Sequence, residues 1–113
     1  MLHTNLKHVL SADDHKKLIE ENENVMICCG RMGPMCIPVY AAMSELENEV
    51  DQVVFADMEF DIPDAAVIRD APECSSFMGL PFTVYYKNGE LVHATSSIQN
   101  KDQIKSIIEE KLV

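Results

Sequence analysis

The four cysteines of this 113-residue chain, at positions 28, 29, 36 and 74, are the side chains best suited to covalent chemistry. Cys36 follows Gly30-Arg31-Met32-Gly33-Pro34-Met35 and stands at the start of a long helical pattern, Ile37 to Val50. A thiol in the first turn of a helix is drawn toward thiolate by unpaired backbone N–H groups, and a neighbouring guanidinium adds to this. Cys36, with Arg31 beside it, is therefore the first candidate for a reactive thiol. Cys28 and Cys29 close an apolar run, and adjacent strand residues point to opposite faces, so at most one can look toward Cys36. Both also read as small hydrophobes of a covered strand. Cys74 lies in an irregular segment ahead of Pro81. Cys29–Cys36, Cys28–Cys74 and Cys36–Cys74 are the conceivable disulfides, each requiring Cα atoms within about 7 Å. Met32 and Met35 with a cysteine would suit a soft ion such as Cu(I). The histidines at 3, 8, 15 and 93 fall on separate elements and add no ligand cluster. No metal and no cofactor is expected, and His15 is expected to be solvated on a helix surface.

The elements that must position these residues follow from periodicity. Leu6 to Leu10 reads as a short strand. Ser11 then caps a helix reaching about Glu21, with Asp13 and Asp14 in its first turn. Val25 to Cys29 is apolar on both faces, as a strand covered on both sides must be. The next helix is expected from Pro34, whose missing N–H costs nothing at a first helical position, with Val39, Met43, Leu46 and Val50 inward. Val53 to Ala56 is a further buried strand, and Asp57 at its end is expected to be solvated or capping. Prolines 63 and 72 break the following helical stretch, Asp64 to Asp70, with a second turn near Glu73. Phe82–Tyr86 and Leu91–Thr95 form a hairpin around Asn88-Gly89. The last helix starts at Asn100, with Ile104, Ile107, Ile108 and Leu112 inward and Gln103 placed to reach back to the cap.

The chain as a whole bounds the partners. Its length suits one domain over residues 1–113. Nine basic against nineteen acidic residues give a net charge of −10, which disfavours nucleic acid and anionic membrane as partners. No apolar stretch approaches the roughly 20 residues of a membrane span, and the polar start is unlike a signal peptide. A cytoplasmic location, a monomer and reduced thiols are expected.

Three segments in order, Met32-Gly33-Pro34-Met35 before a helix, Gly79-Leu80-Pro81-Phe82-Thr83 before a strand, and Lys87-Asn88-Gly89-Glu90, resemble the thioredoxin family. There the active loop is Trp-Cys-Gly-Pro-Cys-Lys, the companion segment Gly-Ile-Pro-Thr, and the hairpin turn Lys-Asn-Gly-Glu. The likeness runs from about Leu6 to Val113, without gaps from Val25 to Asp61 and from Pro81 onward. It implies an α/β thioredoxin fold, a mixed sheet in the order β-α-β-α-β-α-β-β-α with helices on both faces. It also implies a cis-proline at Pro81 against the active loop, and a groove at Arg31, Met32, Gly33, Pro34, Met35, Leu80 and Pro81 that takes an extended protein or peptide segment. The departures are as informative. Methionine replaces both cysteines of the family's loop, Arg31 replaces its tryptophan, Met26 its buried aspartate and Ser97 a later glycine. Asp57 could return a carboxylate to the region of that aspartate. A second alignment takes Cys29 and Cys36 as the family's two cysteines, with a longer loop between them and Pro38 as the helix proline.

A thioether has no ionisable proton and forms no disulfide, so dithiol exchange through Met32 and Met35 is excluded. Two functions remain. One is an atypical thiol-redox protein using Cys36, with Cys29 or Cys74 as further candidates, on a thiol or disulfide protein partner. The other is a redox-inactive binding module that holds a peptide at the Met32/Met35/Pro81 groove.

Overall fold

The computed structural model describes residues 2–113. Strands β1 (Lys7–Val9), β2 (Asn24–Gly30), β3 (Val54–Glu59), β4 (Phe82–Lys87) and β5 (Glu90–Ser96) form one sheet in the order β1-β3-β2-β4-β5. β1, β3 and β2 run parallel, and β4 and β5 are antiparallel additions. Helices α1 (Ala12–Glu21), α2 (Ile37–Glu47), α3 (Ala66–Arg69) and α4 (Lys101–Lys111) complete the order that the sequence resemblance implies. β2 is central and every one of its residues is buried, which is why its sequence is apolar at successive positions rather than alternating.

The sheet separates two cores. Met26 and Cys28 face α2 and α4, where Val39, Met43, Leu46, Ile104 and Ile108 pack. Val25, Ile27 and Cys29 face the other side, with Leu18 of α1, Ile68 of α3 and Cys74. Each fully buried aliphatic side chain contributes about 1.5–3 kcal/mol, so this alternation along β2 locks which thiol sees which layer.

Local signals account for most boundaries. Ser11 Oγ accepts from the Asp14 N–H, as a cap should. Asn88 and Gly89 both take positive φ, 52° and 83°, in the hairpin turn. Asn100 and Gln103 form a reciprocal capping box at α4. Asn100→Ala should therefore cost about 1 kcal/mol, read as a lowered urea midpoint with unchanged slope. A helix at 64–70 resolves into a 3-10 turn at Pro63–Ala65, the single turn α3, and another 3-10 turn at Pro72–Cys74.

Two expectations change. α2 begins at Ile37 rather than Pro34, and residues 34–36 form a turn. Pro38 is responsible: it lies at the first helical positions, offers no N–H to the carbonyl of Pro34, and its ring crowds that carbonyl. His15 is buried at the sheet, where its Nε2 lies 2.9 Å from the hydroxyl of Tyr86. Burial pushes its pKa below the ordinary value.

Candidate functional site

The end of β2, the loop after it and the turn before β4 converge at Gly30. A Cβ at Gly30 would stand 2.8 Å from Cys36 Sγ, 2.8 Å from the Tyr40 hydroxyl and 3.0 Å from Pro81 Cβ. The absent side chain thus makes room for the Cys36 thiol. The Leu80–Pro81 peptide is cis. Ser97, in the position where the family resemblance has glycine, takes φ 66°, and its N–H donates to the carbonyls of Gly79 and Pro81.

Cys36 occupies the N-cap of α2, not its first turn, and is only 2% exposed. The Arg31 backbone N–H points at its Sγ from 3.4 Å, and the Tyr40 hydroxyl donates to the Arg31 carbonyl at 3.1 Å. The guanidinium of Arg31 acts elsewhere. Its Nε and Nη2 each donate to Asp61 at 2.7 Å, and it lies 5.4 Å above the Phe60 ring. Hydrogen bonding to Arg31 holds the Asp61 carboxyl below the usual range. The group that touches the Cys36 sulfur is thus the Arg31 main-chain N–H, while the Arg31 side chain makes its hydrogen bonds to Asp61 and interacts with Cys36 only as a weaker, more distant charge.

The methionines lie outside. Met32 and Met35 are 41% and 43% exposed, and the His3 N–H approaches Met32 Sδ at 3.4 Å. Met35 does not lie beneath Met32. Because residues 34–36 turn before the helix begins, the inward position falls to Cys36. Ile37, which lines one cleft with Met32, and Ile98 and Met78, the last 96% exposed, are further apolar side chains open to solvent. Leu80 is half-buried. Gly33 has nothing near its open side.

The remaining cysteines are divided by the sheet. Cys28 shares the α2 side with Cys36; Cys29 and Cys74 share the other. Each of the three conceivable pairs, Cys29–Cys36, Cys28–Cys74 and Cys36–Cys74, would have to cross the sheet, and all four thiols are free and buried. In the alignment that makes Cys29 the partner of Cys36, the two thiols belong to different cores. Burial lifts the Cys28 thiol well above its ordinary pKa and pushes Cys29 up to about 12. Among the described residues no cluster of three or more His, Cys, Asp or Glu could hold a metal ion.

Asp57 is the main surprise. It is 1% exposed rather than solvated, and it accepts hydrogen bonds from Thr4 Oγ1 and from His8 Nδ1 at 2.7 Å. Desolvation outweighs these bonds and raises its pKa. A raised carboxyl pKa means that the folded state binds the proton more tightly than the unfolded chain. The stability this confers is complete below the unfolded value and lost as pH rises through the folded one. Asp57→Asn should therefore be more stable than wild type at neutral pH, with the gap closing as pH falls; denaturant titrations at several pH values measure this. Thr4 and His8 carry no sequence signal of the site, because the β1–β3 register that brings them to Asp57 is non-local. Gly30 and Tyr40 are equally silent, although a glycine ending an apolar strand hints at close approach.

No protein-family model matches the sequence, and no curated protein matches it. Solved structures do. Thioredoxin from Fasciola hepatica superposes with TM-score 0.78 at 22% identity, covering 94% of this chain and 99% of its own. Thioredoxin from Plasmodium falciparum gives 0.74 at 23% identity, covering 93% and 98%. Mitochondrial thioredoxin 3 from Saccharomyces cerevisiae, in its oxidised form, gives 0.76 at 18%, covering 93% and 94%. At these identities the likeness establishes the architecture: the chain has the thioredoxin fold. No helix of the described residues is long and apolar enough to cross a membrane.

Proposed function

We propose that this protein works in thiol redox homeostasis as an atypical thioredoxin-like protein, exchanging disulfides through the single thiol of Cys36. The observation that carries this reading is the setting of Cys36. Its sulfur sits at the N-cap of α2, receives the Arg31 N–H at 3.4 Å, and borders the Leu80–Pro81 turn through the space left by Gly30. The Arg31 N–H gives the sulfur a main-chain hydrogen-bond partner at the mouth of the Pro81 turn. An extended segment of a protein or peptide partner would lie along Leu80–Pro81, with Met32 and Met35 supplying adaptable apolar contact.

In the step itself, the Cys36 thiolate attacks one sulfur of the partner's disulfide. A bond forms between Cys36 and that sulfur, the partner's S–S bond breaks, and the departing sulfur leaves as a thiolate that takes up a proton. Attack from a 2% exposed residue requires residues 31–36 to open, and a turn flanked by Gly33 opens more readily than a helix. The chain would act as a cytoplasmic monomer without a cofactor.

A second reading, a redox-inactive peptide-binding module, draws on a different observation: every thiol is buried, whereas Met32, Met35 and Met78 are exposed. Incubation with a disulfide-bonded peptide, followed by mass spectrometry without reductant, separates the two. The redox reading expects reduction of the peptide with either a mixed disulfide or an oxidised chain two hydrogens lighter, both lost in Cys36→Ser. Peptide binding with the peptide's disulfide intact and the chain's mass unchanged supports the module instead.

A further inference from the structure

Across the sheet, one transverse row faces α2: His8, Asp57, Cys28, Thr83 and Thr95 are successive cross-strand partners on β1, β3, β2, β4 and β5. The row is polar in a layer otherwise filled by Met26, Phe55, Met43 and Leu46. Cys28 is 0% exposed, and the Thr83 hydroxyl approaches its Sγ at 3.9 Å. Thr95 Oγ1 is buried without a partner among the described residues. Polar groups in such a layer cost stability unless satisfied, so their alignment calls for a use.

Cys36 enters this row from above. Met26, Cys28 and Gly30 share one face of β2, and the Cys36 sulfur fills the space a Gly30 side chain would take, 2.8 Å from its Cβ position. The next side chain along that face is Cys28. Closing a bridge requires residues 31–36 to slide along the strand toward Cys28, the same segment that must open to a partner. The partly exposed His8 holds Asp57 at 2.7 Å and links the row to water at the sheet edge.

We propose that Cys28 is the resolving thiol for Cys36, with Asp57 as its proton acceptor. This rests on the exchange assigned above to Cys36. After Cys36 has formed a mixed disulfide, the Cys28 thiol passes its proton to the Asp57 carboxylate, which relays it through His8 to solvent. The Cys28 sulfur attacks Cys36 Sγ, a Cys28–Cys36 bond forms, and the bond from Cys36 to the partner breaks. The partner leaves as a second thiolate. In sum, one partner disulfide is reduced to two thiols and two protein thiols are oxidised to one disulfide. Asp57 is placed for proton transfer as the direct cross-strand partner of Cys28 on β3; burial raises the pKa of both groups, so the carboxylate remains the acceptor of the pair. The titratable groups facing it are His8 from β1, Cys28 from β2 and Tyr40 from α2.

The test uses the full chain and dithiobis(nitrobenzoate), a small aromatic disulfide whose released thiolate is coloured. Two sequential releases per chain are expected, leaving a disulfide that joins tryptic peptide 18–31 to 32–69 and persists in Cys29→Ala. Cys28→Ala should stop after the first release with the adduct on Cys36. Asp57→Asn should leave the first release unchanged, slow the second at least tenfold, and flatten its pH profile near neutrality. A first release without a second, or a bridge through Cys29 or Cys74, would overturn the inference and leave the Cys36 exchange standing. No adduct on Cys36 at all would overturn both.

Discussion

Gly30→Val should destabilise the protein by about 1–3 kcal/mol, the range of overpacking in a closed core, and should expel the Cys36 thiol from its place. The cause is crowding from three sides. The new Cβ would meet Cys36 Sγ and the Tyr40 hydroxyl at 2.8 Å and Pro81 Cβ at 3.0 Å. The proline belongs to a turn backed by β4 and the tyrosine is anchored on Arg31. The sulfur is the group that can yield. Chemical denaturation reads the loss of stability, and the alkylation rate of Cys36 reads the displacement, which should rise. A stable Gly30→Val protein with an unaltered Cys36 rate would mean that the convergence of these three segments is looser than the distances state.

Met32→Cys should have the largest effect on activity. It restores an exposed thiol at the head of the loop, above the inward-facing Cys36. Two thiols held in one exposed loop resolve a mixed disulfide without the slide toward Cys28 that the wild-type chain requires, so catalysed reduction of a small disulfide, with dithiothreitol as electron source, should rise on the order of a hundredfold. Met35→Cys alone should gain far less, because a thiol adjacent to Cys36 in sequence has its Cα only about 3.8 Å away, too close for an unstrained bridge. The gain from Met32→Cys should vanish in combination with Cys36→Ser. Were the gain to survive that second change, Cys36 would not be the inner partner.

The fold was legible because its signals are local or strongly periodic. The caps at Ser11 and Asn100, the Asn88-Gly89 turn and the doubly apolar β2 each correspond to an observed element. The site was legible only in outline. The loop and Pro81 could be brought together through resemblance, but the orientation of Cys36 could not. That depends on where α2 begins, and Pro38 delays it. The pairing of thiols turned on strand parity. It was plain that Cys28 and Cys29 face opposite ways, yet which faces α2 depends on how β2 is set in the sheet. Asp57 departs from the solvated acid expected at a strand end because β3 runs on to Glu59 and places it inside the strand. Its burial reflects Thr4 and His8, brought to it by a parallel pairing that no local pattern encodes. The hydrogen bonds of Arg31 go to Asp61, far along the chain, a pairing that the sequence around Cys36 does not signal.

The whole account depends on Cys36 being the thiol through which this fold reacts. Competitive alkylation with iodoacetamide, resolved by peptide mapping from pH 6 to 9, measures that property for all four cysteines in the native chain. The account predicts that Cys36 is modified first, at a rate that follows opening of the 31–36 turn, while Cys28 and Cys29 stay protected in the sheet. Preferential labelling of Cys74, or equal and slow labelling of all four, would contradict it.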